Sequence, residues 1–371
     1  MNKAHQKGYL TPASSFLLDA TRLIAALTVA FTHARAIWFR DKEYDYVTSH
    51  LSHGSVIVFF VLSGYVIAYT TGTKNRTLSE YAAARLSRLY SGMVPALVFT
   101  LLVLVILLFQ QPALLNRYAQ DHTVWRYIIS FFFCNEIWFL SAAPLLNGVI
   151  WSLSFEFWFY VIFGCWLYRN NHKNGFLLLI IAMVIAGPKI ILMLFVWILG
   201  VLAYNLPKPR LKPPDRRIYI MLSLFTAVVL MLVLPQIPYP VNTSKLYWAS
   251  PFISDFIAAL FIAFAFWLLE LSPRPALINN KIKFFRKIAD LTFPIYILHY
   301  PCLVLIKSFI TGSSLVTMYL ALVLTLAFCF FVGLYIEKLH VSGKTVFKRL
   351  FRWIPLKSAF YKPIHIAKTN G

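Results

Sequence analysis

The chain has 371 residues, 60% of them hydrophobic, and 35 Lys and Arg against 13 Asp and Glu give a net charge of +22. Mean hydropathy is +0.69, whereas soluble domains are only about 45–50% apolar, so the composition excludes an ordinary soluble protein and indicates a membrane protein. The positive excess fits cytoplasmic loops beside anionic lipid headgroups, and nucleic acid is not expected as a partner because no basic soluble domain exists to hold it.

Residues 1–15 are polar, with Lys3 and Lys7, and read as a cytoplasmic start. Residues 16–38 form the first expected span, since about 20 apolar residues cross a bilayer. Asp19 and Arg22 interrupt this run, and no small-residue cleavage site follows it, so a signal peptide is not expected. Arg22 and His33 lie inside the span. Charge at membrane depth costs roughly 2.5–3.5 kcal/mol on insertion scales, so such residues usually face a cavity. The two are three helical turns plus about 20° apart, which puts them on one face, ~16 Å apart along the axis. A snorkelling Arg and a His in an interhelical contact would account for them as simply.

The slightly acidic segment that follows is expected outside. A second span covers 54–71 and contains the small pair Ser63-Gly64, which on its own requires only close helix packing. Residues 72–91 hold Lys74, Arg76, Arg85 and Arg88 and read as a cytoplasmic loop. At i and i+3 on a helix, Arg85 and Arg88 would point the same way. Such a fork suits phosphate, although the positive-inside bias alone accounts for arginine here. A third span covers 92–110, and a loop with Asn116, Arg117, Asp121 and His122 follows. Residues 127–146 are apolar but broken by Asn135 and Glu136. An even number of crossings must lead to the basic RNNHK at 169–173, so this stretch is expected to re-enter the membrane or lie at its surface.

The next span, 148–168, includes WSLSFEFWFY, with Glu156 in an apolar run and Ser152 one turn before it on the same face. Counting from the outer ends of their spans brings Glu156 and His33 to comparable depth. A Glu156 carboxylate accepting from one ring nitrogen would orient His33 and raise its basicity. A neighbouring Arg or hydroxyl would satisfy the acid equally well. Further spans are expected at 175–187, 188–206, 218–234, 251–271, 289–311 and 315–337. Gly187-Pro188 marks a tight turn or a broken helix. Asp290 starts one of these spans and His299 lies near its middle; a lone His among aromatics is more often structural. Tyr239, Tyr247 and Trp248 in the outer loop could stack on a sugar, but interfacial belts are the commoner cause.

The expected fold is therefore all-α: a polytopic membrane protein of about ten transmembrane helices plus one re-entrant or interfacial segment, with both termini cytoplasmic. Residues 1–15 form an N-terminal segment, 16–337 the membrane domain and 338–371 a basic tail. Cys134, Cys165, Cys302 and Cys329 have neither CxxC nor metal-ligand spacing, so they read as buried thiols and no metal site is expected.

Five landmarks occur in order: Leu18-Asp19 through Arg22 to His33, FFVLSGY at 59–65, Arg85-Leu86-Ser87-Arg88, WSLSFEFWFY at 151–160, and IYILHYP at 295–301. Together they resemble acyltransferase family 3, integral-membrane O-acyltransferases that decorate bacterial surface polysaccharides. The resemblance implies an acyl-CoA donor, usually acetyl-CoA, on the cytoplasmic side of the bacterial inner membrane, with no permanently bound cofactor. It implies a polysaccharide or lipid-linked saccharide acceptor, and membrane lipid as a further partner. Arg85 and Arg88 match the family's Arg-x-x-Arg and would hold the CoA phosphates; Arg22 and His33 match its first-span pair, with His33 the general base or relay, and Glu156 matches its acidic position. On the residues themselves, His33 oriented by Glu156 is expected to take the hydroxyl proton, and Arg22 with the loop arginines to position the CoA end. Ser63, Ser152, His299 and Asp19 are second-rank candidates; His33, Ser63 and Ser152 are each conceivable acyl carriers. The alternative reading is a transporter or flippase of a lipid-linked saccharide, which intramembrane Arg, His and Glu would also fit.

Overall fold

The computed structural model describes residues 8–39, 46–74, 77–116, 118, 123–171, 173–275, 280–310 and 312–352. Lys3, Lys7, the acidic 40–45 segment, Arg76, Arg117, Asp121, His122 and the tail beyond 352 lie outside the described residues.

Capping chemistry sets where the first helices begin. Helix α1 (Pro12–Trp38) starts on Thr11, whose hydroxyl accepts from the Ser14 N–H at 3.2 Å, with Pro12 at the first turn, where an N–H is not needed. Helix α2 (Tyr46–Lys74) follows. Helix α3 (Leu78–Gln110) opens with a reciprocal capping box between Thr77 and Glu80. That box starts the helix well before residue 92, so Arg85 and Arg88 lie on α3 rather than in a loop. The remaining helices are α4 (Pro112–Asn116), α5 (Thr123–Phe131), α6 (Trp151–Leu167), α7 (Gly175–Ala186), α8 (Pro188–Asn205), α9 (Pro213–Val233), α10 (Phe252–Trp267), α11 (Asn280–Asp290), α12 (Thr292–Phe309) and α13 (Leu315–Arg352). Two short antiparallel strands, β1 (Tyr9–Leu10) and β2 (Leu271–Ser272), tie the start of α1 to the end of α10.

Among the described residues, eight helical stretches are long and apolar enough to cross a membrane: Pro12–Trp38, Val47–Thr73, Leu78–Gln110, Gly148–Leu167, Pro188–Asn205, Pro213–Val233, Asn280–Phe309 and Leu315–Phe351. Helices α7 and α10 are apolar but shorter, with 12 and 16 residues. They reach about 18 and 24 Å, against a hydrocarbon core of roughly 30 Å. The ten expected spans thus correspond to eight long helices and two short ones. Asp290 ends α11 instead of starting a span.

Helix α13 continues to Arg352, so residues 338–352 are helix rather than loose tail. This extension runs along the start of α3. Glu337 meets Arg88, His340 meets Ser87, Phe347 stacks on Tyr90, and Lys348 reaches Glu80.

Residues 132–147 are irregular, with positive φ at Phe133, Trp138 and Leu146. Non-helical backbone at membrane depth must find its partners within the protein. Phe133 O accepts from Ser154 at 2.6 Å and from Trp158 Nε1 at 3.1 Å. Trp138 N donates to Ala186 O at 3.1 Å. Asn147 Nδ2 donates to Thr100 Oγ1 and Ile297 O, each at 3.0 Å. Glu136 and Lys189, both with 0% exposure, form an ion pair, and Lys189 also donates to Leu140 O. The segment is thereby fastened to the N-terminus of α8. Gly187, at φ 82°, makes the tight turn between α7 and α8; an added Cβ would lie 2.6 Å from Trp138 Cα.

Helices α2 and α8 touch backbone to backbone. A Cβ at Gly64 would lie 2.1 Å from Trp197 O, and one at Gly200 would lie 1.9 Å from Val61 O. The aromatic core packs beside this contact, with Phe60, Phe155, Phe159 and Trp197 in successive ring contacts. Of the four thiols, all free, Cys302 and Cys329 are buried while Cys134 and Cys165 are half-buried, which corrects the expectation for the latter two.

Gly64→Ala or Gly200→Ala is expected to destabilise the protein by about 1–3 kcal/mol through overpacking. The check is the thermal midpoint in detergent against Gly148→Ala, where nothing lies within 4 Å of the new Cβ. Lys189→Met is expected to cost about 3–5 kcal/mol, because it leaves Glu136 buried without its partner. The same assay should show part of that loss recovered in the double variant with Glu136→Gln.

Candidate active site

The first half of α1, α2 from Val56 to Thr70, the start of α3, α6, the α11–α12 junction and the distal part of α13 border an open cavity of about 690 Å³. Helix α6 contributes Ser152, Glu156 and Tyr160, spaced four residues apart and so on one face. Asp19, Arg22, Ser63, Arg85, Arg88, Ser152 and Glu156 all line the cavity; His33 and His299 are not among its lining residues.

Charge in the cavity is dense. Arg22, Arg85, Arg88, Arg286 and Lys344 share it with Asp19, Glu156, Asp290 and Glu337. Arg88 Nη1 lies 3.1 Å from Glu337 Oε2, and its guanidinium covers Phe293 at 4.7 Å. Arg286 Nε lies 3.6 Å from Asp19 Oδ2 and Arg286 Nη2 donates to Ser15 at 2.6 Å. Arg85 donates to Thr70 Oγ1 at 3.1 Å, lies 5.8 Å from the Tyr160 ring centre, and keeps a buried Nε with no hydrogen-bond partner. Arg22 sits in the field of Asp19, Asp290 and Glu156 and of the like-charged Arg88. Among the described residues neither Arg22 nor Arg85 forms an ion pair. Two guanidiniums therefore line the cavity without a carboxylate bound to them.

Glu156 accepts from the Tyr160 hydroxyl in a very short contact and from Ser63 Oγ at 3.0 Å. Trp197 Nε1 donates to Ser63 Oγ at 3.2 Å. The acid is thus satisfied by hydroxyls, and it is not the partner of His33. The reason is depth. His33 meets α2 at Ser52, whereas Glu156 meets it at Ser63, three turns or about 16 Å further along. Counting from residue 148 as though it lay at the outer surface misplaces α6, because Val149 and Ile150 are already buried.

His33 lies in the other half of the bundle. Its Nδ1 is 2.8 Å from His299 Nε2, with the two rings parallel at 5.1 Å. Its Nε2 is 3.4 Å from Ser52 Oγ, and Tyr300 meets the ring edge-on. Between this pair and the cavity stands Tyr296. Its hydroxyl is 2.8 Å from Ser152 Oγ, and its ring is 6.3 Å from that of His299. A second buried pair, His53 and Asp255, joins α2 to α10 at 2.9 Å. His53 lies parallel to Trp151, which in turn stacks on Trp248 at 4.7 Å. Trp248 thus packs one face on Trp151, and Tyr247 receives the Lys189 ammonium at 5.3 Å; Tyr239 is the member of that trio left exposed.

Tyr160, Tyr296, Ser52 and the His53–Asp255 pair escaped the sequence reading. Tyr160 was within reach, since it lies one turn from Glu156. Tyr296 too lies one turn before His299, inside the IYILHYP landmark; Ser52 and the His53–Asp255 pair carry no spacing signal and meet their partners only through packing.

No solved structure matches this chain. An "O-acetyl transferase" of Shigella phage Sf6 is 25% identical over 174 residues, covering 45% of this chain and 50% of that protein. "Acyltransferase MdmB" of Streptomyces mycarofaciens is 28% identical over 162 residues, 42% of this chain and 40% of its own. "Protein 2 in picA locus" of Rhizobium radiobacter is 36% identical over 90 residues, 23% of this chain and 44% of its own. The chain spans half or less of the length of these curated relatives. A family profile described as an acyltransferase domain matches residues 17–335, from the first turns of α1 into α13. With nearly the whole bundle inside that match, the chain belongs to acyltransferase family 3.

Proposed function

We propose that this protein transfers an acyl group, of which acetyl is the first choice, from acyl-CoA to a hydroxyl of a surface polysaccharide or lipid-linked saccharide at the bacterial inner membrane. The observation that carries the reading is the cavity with two guanidiniums, Arg22 and Arg85, that no carboxylate occupies. Coenzyme A carries phosphate groups, and guanidinium binds phosphate oxygens in charge-assisted, often bidentate fashion. The rings of Phe293 and Tyr160 under Arg88 and Arg85 hold those guanidiniums in place. The helix ends around the cavity carry Arg85, Arg88, Arg286 and Lys344, and on the positive-inside bias we take this end as the cytoplasmic one, where acyl-CoA is found.

In this reading the donor enters from the basic end and its thioester points toward Val56, Phe59 and Tyr296 at the apolar end of the cavity. The acceptor comes from the opposite side to His33, which takes the proton of its hydroxyl. The name of the phage relative, an O-acetyl transferase, supports acetyl as the group moved.

Membranes containing the protein should move label from radioactive acetyl-CoA onto a polysaccharide or glycolipid. His33→Ala at wild-type expression should lose roughly 100-fold or more of that transfer. Full activity in His33→Ala would remove the residue from the mechanism. Arg85→Gln should raise the KM for acetyl-CoA by about tenfold, equivalent to ~1.4 kcal/mol of lost binding. Ser63→Cys should react with a small water-soluble thiosulfonate and be protected by CoA. Ser154→Cys, at a position with 0% exposure, should stay unreactive.

A further inference from the structure

The partners of His33 and His299 determine which of their ring nitrogens carry hydrogen. His299 Nδ1 lies 2.9 Å from the carbonyl oxygen of Ile295. A carbonyl only accepts, so Nδ1 carries the hydrogen. His299 is fully buried and, among the described residues, contacts no carboxylate, which disfavours the charged, doubly protonated ring. Its Nε2 is therefore a bare acceptor. His33 Nδ1, 2.8 Å away, must be the donor to it. The lone pair of His33 is then left on Nε2, which faces Ser52 Oγ at 3.4 Å.

We propose that His299 is a positioning residue that holds His33 as its Nδ1–H tautomer, so that Nε2 is the base and the acceptor hydroxyl docks at that nitrogen beside Ser52, in the half of the bundle away from the donor cavity. This rests on the acyltransferase reading above. In the transfer the acceptor hydroxyl gives its proton to His33 Nε2 while its oxygen forms the new C–O bond to the acyl carbon. The C–S bond breaks, and the leaving thiolate takes up the proton, which returns His33 to its starting form. Throughout, His33 Nδ1–H stays on His299 Nε2. A neutral imidazole thus does the orienting that a carboxylate does in a serine hydrolase triad. Ser52 Oγ marks where an incoming hydroxyl would sit. The titratable groups facing the His33 ring among the described residues are His299 and Tyr300, both on α12; α2 offers Ser52, which does not titrate in this range.

Two measurements test this on the full-length protein. The first is nitrogen NMR with ¹⁵N-histidine labelling in lipid nanodiscs, with the His33 signals identified by their loss in His33→Gln. The expected result is a protonated Nδ1 and a bare Nε2 at neutral pH, with that preference lost in His299→Leu. A bare Nδ1 and protonated Nε2 in the wild type would overturn the proposal. The second is label transfer from acetyl-CoA as a function of pH. His299→Gln, whose amide oxygen can replace Nε2 as acceptor, should stay within about tenfold of wild type, while His299→Leu should lose about 100-fold in kcat with an unchanged KM for acetyl-CoA. His299→Glu should move the acidic limb of the pH profile upward by about a unit or more, because a carboxylate favours the imidazolium. A His299→Leu variant with wild-type kcat, or a His299→Glu variant with an unmoved limb, overturns the proposal. If wild-type membranes move no label from acetyl-, succinyl- or longer acyl-CoA, the acyltransferase reading and the base role fall together, whatever the tautomer.

Discussion

The backbone contact between α2 and α8 at Gly64 and Gly200 is what the rest of the site depends on. Only hydrogen fits between each glycine and the opposing carbonyl. At that separation Trp197 of α8 reaches Ser63 of α2, and Ser63 reaches Glu156 of α6. In lipid, helices gain little from burying apolar surface against each other, so small residues at a contact and polar links across it carry the association. Here the two coincide: the close approach fixes the hydroxyl, and the hydroxyl joins a third helix to the pair.

The second constraint is that backbone polar groups away from water must be satisfied inside the protein. Residues 132–147 meet it without a helix. Their carbonyls and amides bond Ser154, Trp158, Ala186 and one another, and the Glu136–Lys189 pair fastens the segment to α8. This irregular stretch leads into α6 and sets its depth. As a result Ser152 and Glu156 belong to the cavity, and Glu156 lies three turns along α2 from the level of His33.

The molecule therefore separates two kinds of chemistry along one helix. Toward the C-terminal end of α2, around Ser63 and Thr70, stand the guanidiniums and the carboxylates that partly neutralise them. Toward its N-terminal end stand the imidazoles, His33 with His299 and His53 with Asp255. Tyr296 lies between, its hydroxyl on Ser152 and its ring beside His299. In the proposed reaction, a donor that binds by charge and an acceptor that must lose a proton would thus use different ends of the same bundle.

Composition and hydropathy by themselves determined that the chain is a helical membrane protein and where its apolar helices run, because twenty-residue apolar runs have few other stable forms. Residue order also exposed Asp19, Arg22, Ser63, Arg85, Arg88, Ser152 and Glu156, since polar groups in such runs stand out against their neighbours. Helix starts were less legible: the Thr77–Glu80 capping box moved Arg85 and Arg88 from a loop onto α3. Partnership was decided only by tertiary structure. Arg22 and His33 share a face of α1, yet one lines the cavity and the other does not. Glu156 was within reach of His33 by depth counting from sequence, but it belongs to Ser63 and Tyr160. In sequence His299 is a lone histidine among aromatics; the packing of α1 against α12 pairs it with His33. Periodicity tells which residues lie on one face of one helix; which face meets which neighbour, and at what height, depends on how the irregular segments set the helices against each other.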